Sequence, residues 1–235
     1  MGVSGFPVGP FDGTWTTLFS VAIALPITMI VALLAALTVA AEAAGAASSL
    51  VRSAGRSARA VPPVVTGCAV AVIAAASGAT NIVGITVLAL FIACLPSAAA
   101  TLVETFNSRY ARRRLFAAAA AGASPRYIAL AVHIRGSVRL IGAVALRTAA
   151  RMCVETAAIV IALAGVAGAF SGGPSPANVE APYAPFAVIQ FFASAAHPEA
   201  PIIAWRAISL VALVLALHAA ARLIEGEPHE LRGRA

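Results

Sequence analysis

Long stretches of this 235-residue chain run without a single charged side chain, among them 13–41, 60–103, 156–179 and 207–221. A helix crosses a hydrocarbon core of about 30 Å with about 20 apolar residues. In lipid the backbone must satisfy its own hydrogen bonds, so such runs are confined to helices or closed barrels. Runs this long and continuously apolar read as helices, and 60–103 holds enough residues for two, with Ser-Gly-Ala-Thr-Asn at 77–81 as the turn between them. Extending the last two runs through the charges at their ends gives five expected spans, at about 15–41, 61–77, 82–103, 138–167 and 202–222. A composition of 61% hydrophobic and 11% charged residues agrees. The expectation is an all-α integral membrane protein, with 1–235 forming one transmembrane domain.

Every one of the sixteen basic residues is Arg. A phosphate loop of the GxxxxGK[ST] type needs a Lys, so this chain does not hold ATP in that way. Segment 42–59 carries three Arg, segment 104–139 seven, and the tail three more at Arg222, Arg232 and Arg234. With five spans these thirteen fall on one side, and the outer segments 1–13, 77–81 and 168–200 carry none. The positive-inside rule then puts the N-terminus outside and the C-terminus in the cytoplasm. The net charge of +7 is read as this topology signal and not as nucleic-acid binding. With no basic residue in the first dozen, the first span is expected to remain in the protein and not to be cleaved as a signal peptide. Cys68, Cys94 and Cys153 are odd in number, lack CxxC spacing and read as small buried residues. His218 reads as a hydrogen-bonded packing residue, and no metal-ligand or catalytic spacing is present.

The inner segment 104–137 has a legible local pattern. Basic residues and five alanines favour a helix, Gly122 ends it, and Ser124 with Pro125 can start another. A helix, a sharp break and a second helix on the basic side suit either a segment resting on anionic lipid or a docking surface for a cytoplasmic partner.

That loop resembles the coupling loop of ABC importer permeases, where Glu-Ala-Ala, three residues, Gly and a later Leu-Pro mark the helices that dock on the ATPase. Ala117, Ala118 and Gly122 match; Phe116 stands at the Glu and Ile134-Arg135 at the Leu-Pro. Counting on without a gap, the phosphate-specific (Pst) permeases have Arg-Ala-x-Gly-Glu-Thr-Ala where this chain reads Arg-Met-Cys-Val-Glu-Thr-Ala at 151–157. Arg151, Glu155, Thr156 and Ala157 match, and Val154 replaces the Gly. The likeness covers roughly 11–225 and is strongest to the A-type permease subunit. The family has six spans with both termini in the cytoplasm, and this chain starts where the second would begin.

The resemblance implies a type I ABC importer permease in a bacterial plasma membrane. Its partners would be a second permease subunit, a cytoplasmic ATPase dimer that binds the ATP and magnesium, and an extracytoplasmic phosphate-binding protein. It implies ATPase coupling through Arg114, Phe116, Ala117, Ala118, Gly122, Ala123 and Ser124, and a phosphate path that includes Arg151, Glu155 and Thr156. A permease for sulfate or molybdate, and a non-transporting membrane scaffold in phosphate signalling, are the alternatives.

The stripe Arg147, Arg151, Glu155 raises a physical question of its own. At 1.5 Å per residue from Leu140, these lie about 10, 16 and 22 Å along the fourth span. Each charge facing lipid there costs roughly 2.5–3.5 kcal/mol, so the three are expected to share one polar seam. One reading is an Arg151–Glu155 pair that holds helices together. The other, which also takes in Arg147, is a seam lining a translocation route, with the Arg forks donating to an oxyanion and Glu155 holding one of them.

Overall fold

The computed structural model describes residues 12–41, 53, 57, 61–78, 81–124, 127–155, 158–159, 162–163 and 200–225. Among them the chain is all-helical. Its α-helices are α1 (Asp12–Ala41), α2 (Pro63–Ala76), α3 (Ile82–Phe106), α4 (Arg109–Ala120), α5 (Val138–Val154) and α6 (Ala200–Glu225). A π-helical stretch, Ile128–Ile134, and a 3₁₀ turn, Arg135–Ser137, lead into α5.

Among the described residues three helices contain segments long and apolar enough to cross a membrane: Leu18–Ala40 in α1, Val83–Phe106 in α3 and Ile208–Glu225 in α6. This points to a membrane protein. The other two expected spans differ. Helix α2 has 14 residues, about 21 Å at 1.5 Å each and short of a full hydrocarbon core. Helix α5 is a regular helix only to Val154, because Glu155 takes φ −78°, ψ 66° and leaves the helical conformation. Beyond it, Ala158, Ile159, Ala162 and Leu163 are again helical and buried. The rest of 156–199, including Thr156, lies outside the described residues.

Helix α1 shows how the apolar runs pack. Ala24, Thr28, Ala32 and Ala36 recur every four residues and are fully buried. Phe19, Ile23, Ile27, Ile30 and Leu34 are exposed. A water-soluble helix buries its large residues; this one turns small residues inward, as helices packed in lipid do to bring backbones close. Ala32 and Ala36 of this stripe pack on α3, forming with Ala98, Leu102, Val103 and Phe106 one of two core clusters among the described residues. The second cluster joins Val21 and Ala24 of α1 to Val70 of α2, Leu90 and Cys94 of α3, Met152 and Cys153 of α5 and Leu210 of α6. Cys94 and Cys153 are therefore buried as expected, whereas Cys68 is on the exposed side of α2.

The turns follow local chemistry. Helix α2 runs out at Gly78, whose φ of 65° suits a residue without a side chain. The Asn81 side chain then caps α3 by accepting from the Val83 and Gly84 N–H groups at 3.0 and 3.3 Å. Pro26 and Pro96 lie inside α1 and α3. Each removes one helical hydrogen bond, the one to the carbonyl four residues earlier, at Ala22 and Ile92. The neighbouring hydroxyls bond other carbonyls: Thr28 Oγ1 donates to that of Ala24 at 2.8 Å, and Ser97 Oγ to that of Cys94 at 2.9 Å.

Candidate functional site

Helix α5 carries Arg151 at a part-exposed position, and Glu155, where the helix breaks, is buried beside it. Arg151 Nε and Glu155 Oε2 are 3.7 Å apart. That is an ion-pair distance but too long for a hydrogen bond. The Glu155 side chain is 9% exposed and that of Arg151 39%. Both line a cleft of about 140 Å³ with Val61, Thr66, Ile92, Ala93 and Pro96, contributed by the α2 region and α3. At 10–15 Å³ for one water centre, the cleft has roughly the room of several waters or one small oxyanion. Neither charged side chain hydrogen-bonds to a described residue. Val154, where the family pattern has Gly, is 52% exposed and so keeps its extra bulk out of the core.

Arg147 is not part of this cleft. Its guanidinium hydrogen-bonds and ion-pairs with the Glu225 carboxylate at the end of α6, residues 78 apart in sequence. The expected three-membered seam is thus divided: Arg151 and Glu155 face the cleft, while Arg147 ties α5 to the final helix. Thr156, the fourth expected path residue, lies outside the described residues.

The expected coupling segment has its helix and its break. Ser108 caps α4 by accepting from the Ala111 N–H at 3.3 Å. At its far end the Ala123 N–H donates to the Ala118 carbonyl and the Gly122 N–H to that of Ala119, both at 3.0 Å, with Gly122 at φ 74°. This is a Schellman closure, which needs a left-handed residue at that position. The Ser124 side chain then accepts from the Tyr127 N–H at 3.3 Å, so Ser124 caps the next turn. Phe116, Ala117, Gly122 and Ser124 are exposed, and Ala118 and Ala123 half-buried. The second helix departs from expectation: Ile128–Ile134 is π-helical, a widened turn that inserts a residue into the helical ladder.

Arg114, expected as a docking residue, turns inward to the chain's own backbone. Its Nη1 donates to the Gly136 carbonyl at 3.2 Å. A Cβ at Gly136 would lie 2.8 Å from the Arg114 Cζ, so this approach depends on glycine there. Nearby His133 is buried, packs against the Phe106 ring at a centroid distance of 5.1 Å and a tilt of 44°, and leaves its Nδ1 without a hydrogen-bond partner among the described residues. Burial holds its pKa below the ordinary imidazole value of 6.5. The sequence reading missed Thr66, His133, Gly136 and Glu225 as partners of these groups. Only Glu225, an acid closing the last apolar helix, carried a visible signal.

Among the described residues no group of His, Cys, Asp and Glu could hold a metal ion. His218 Nδ1 lies 2.9 Å from the Val214 carbonyl one turn earlier, on an exposed face and not in the packed interior. Among the described residues the fold and site define an all-helical protein with three helices of membrane-crossing length and a part-open cleft lined by an Arg–Glu pair. Comparison with protein-family models, with curated proteins and with solved structures yields no match.

Proposed function

We propose that this chain is a transmembrane permease subunit of an ATP-driven phosphate importer, supplying half of the translocation path and docking a cytoplasmic ATPase dimer. The observation that carries the reading is the open Arg151–Glu155 pair. A purely structural buried pair gains most when closed by short, parallel hydrogen bonds, because desolvation of both ions must be offset. Here the contact is 3.7 Å and the two groups border a cleft instead. Ionisable groups kept in an apolar helical bundle at that cost mark ion pathways by default.

The proposal takes α2 and α5, with the residues following Glu155, as spans in addition to the three long apolar helices. It puts the N-terminus outside and the Arg-rich segments in the cytoplasm of a bacterial plasma membrane. A second permease subunit would complete the path, and an extracytoplasmic binding protein would deliver phosphate. The exposed face of α4 around Phe116, closed at Gly122, is the surface for the ATPase, which itself binds ATP and magnesium. Supporting this, α4 stands on the Arg114–Gly136 contact at the entry to α5, so a push on α4 reaches the helix that carries Arg151.

The test is phosphate uptake by cells carrying the complete transporter. Arg151→Gln and Glu155→Gln are each expected to lower uptake at least tenfold with the protein present in the membrane. Wild-type uptake in both variants would end the path assignment.

A further inference from the structure

Resting on the transport reading above, we propose that Glu155 makes the cleft selective for oxyanions that still carry a proton, accepting the anion's O–H while Arg151 donates to its charged oxygens. A site for a fully deprotonated oxyanion needs donors throughout, since every oxygen of such an ion is an acceptor. This cleft presents the opposite at one wall. Glu155 is an almost fully buried carboxylate, and its one ionic contact, Oε2 to Arg151 Nε, is too long to be a hydrogen bond. Its remaining lone pairs and the Arg151 Nη groups are uncommitted among the described residues.

Ile92 and Pro96 line the cleft, and because Pro96 has no N–H the Ile92 carbonyl lacks the donor of a regular helix. Thr66 adds a hydroxyl able to serve either role. Sulfate and molybdate are fully deprotonated at neutral pH, so their oxygens would face the Glu155 carboxylate with no proton between them. The repulsion counts against them at a carboxylate that is itself largely buried. Phosphate and arsenate retain at least one O–H, which turns the same carboxylate into a partner. Discrimination here is a difference between two binding energies, set by an element that repels the wrong ion.

The experiment measures uptake of labelled phosphate and of labelled sulfate by the complete transporter at matched membrane abundance, with arsenate and sulfate as competitors. The parent protein is expected to respond to arsenate and ignore sulfate. In Glu155→Gln the neutral carboxamide can donate as well as accept. Phosphate uptake should fall, sulfate should become a competitor, and the preference for phosphate should shrink on the order of a hundredfold. Glu155→Asp keeps the carboxylate and is expected to exclude sulfate as the parent does. If Glu155→Gln loses phosphate uptake yet still excludes sulfate, Glu155 does not read the proton, and the transport reading survives alone. If Arg151→Gln and Glu155→Gln both transport phosphate normally, the transport reading falls and this inference with it. Should Glu155→Gln lose uptake of every anion, equilibrium binding of phosphate and sulfate to the solubilised transporter decides, and absence of sulfate binding overturns the proposal. Sulfate uptake by Glu155→Asp would overturn it equally.

Discussion

At Gly136 the missing side chain is what lets the Arg114 guanidinium lie on the backbone, 3.2 Å from the carbonyl it donates to. A charge-assisted hydrogen bond of this kind contributes about 1.5–3 kcal/mol where it is shielded. Gly136→Ala would displace the end of a flexible side chain and leave the backbone in place, so its effect should come from losing that bond. Arg114→Ala loses the same bond together with the rest of its contacts. Each variant is expected to lower the stability of the solubilised protein by about 1–2 kcal/mol, and the double variant by clearly less than the two combined. Thermal denaturation in detergent measures both; simple additivity would show that the two residues do not act through one contact. His133, close by, sets a pH dependence whose sign follows from its burial. Above pH 6.5 the imidazole is neutral whether the chain is folded or unfolded. Below it the unfolded chain takes up a proton that the folded one resists, so stability falls as pH falls through that range. Replacing His133 by Phe, which can still pack its ring against Phe106, should remove this component. An unchanged pH profile in His133→Phe would assign the acid sensitivity to another group.

At the scale of helices, the charge-free runs made α1, α3 and α6 legible, because a 20-residue apolar stretch has few ways to satisfy its backbone. The Schellman closure at Gly122 and the Ser124 cap were legible too, since both depend on residues within one turn of each other. What the sequence could not display is contact between distant residues. Arg147 was grouped with Arg151 and Glu155 by four-residue spacing, yet its partner Glu225 is 78 positions away. The break at Glu155 was hidden for the opposite reason: nothing in Met-Cys-Val-Glu-Thr is a strong helix breaker, and the chain leaves the helix where Glu155 turns towards the cleft. Two outcomes follow at this scale. The Arg147–Glu225 pair is part-exposed on both sides, so a double-mutant cycle with Arg147→Ala and Glu225→Ala should give a coupling of about 1 kcal/mol or less, and none if the contact is absent in solution. The buried stripe of α1 is less tolerant. Ala32→Leu must push α1 away from α3 and is expected to cost about 1–3 kcal/mol, whereas Ile30→Leu on the exposed face should be close to neutral. Equal tolerance at the two positions would mean that the α1–α3 packing is not tight.

For the whole molecule, the apolar window of α6 is only 11% buried within the chain, and Trp205, Ile208, Val211 and Leu215 on this helix are exposed. Together with the outward face of α1, this leaves far more apolar surface uncovered than a water-soluble monomer carries, which calls for lipid or a partner subunit to cover it. The orientation in that membrane follows from charge: the α2–α3 turn at Ser77–Gly78 has no basic neighbour, while α4 holds Arg109, Arg112, Arg113 and Arg114 within one helix. In the proposed topology, which rests on the positive-inside rule, the two ends of α3 lie on opposite sides, with α4 in the cytoplasm. Single cysteines make this measurable in a background where exposed Cys68 is replaced by Ala and buried Cys94 and Cys153 are retained. Ser77→Cys is expected to react with a membrane-impermeant maleimide added to intact cells whose outer barrier has been opened. Ser124→Cys, exposed in the break after α4, should react only once the plasma membrane is permeabilised. Labelling of both from the same side would mean that α3 does not cross, and the cytoplasmic placement of the α4 surface, on which ATPase docking depends, would fall with it.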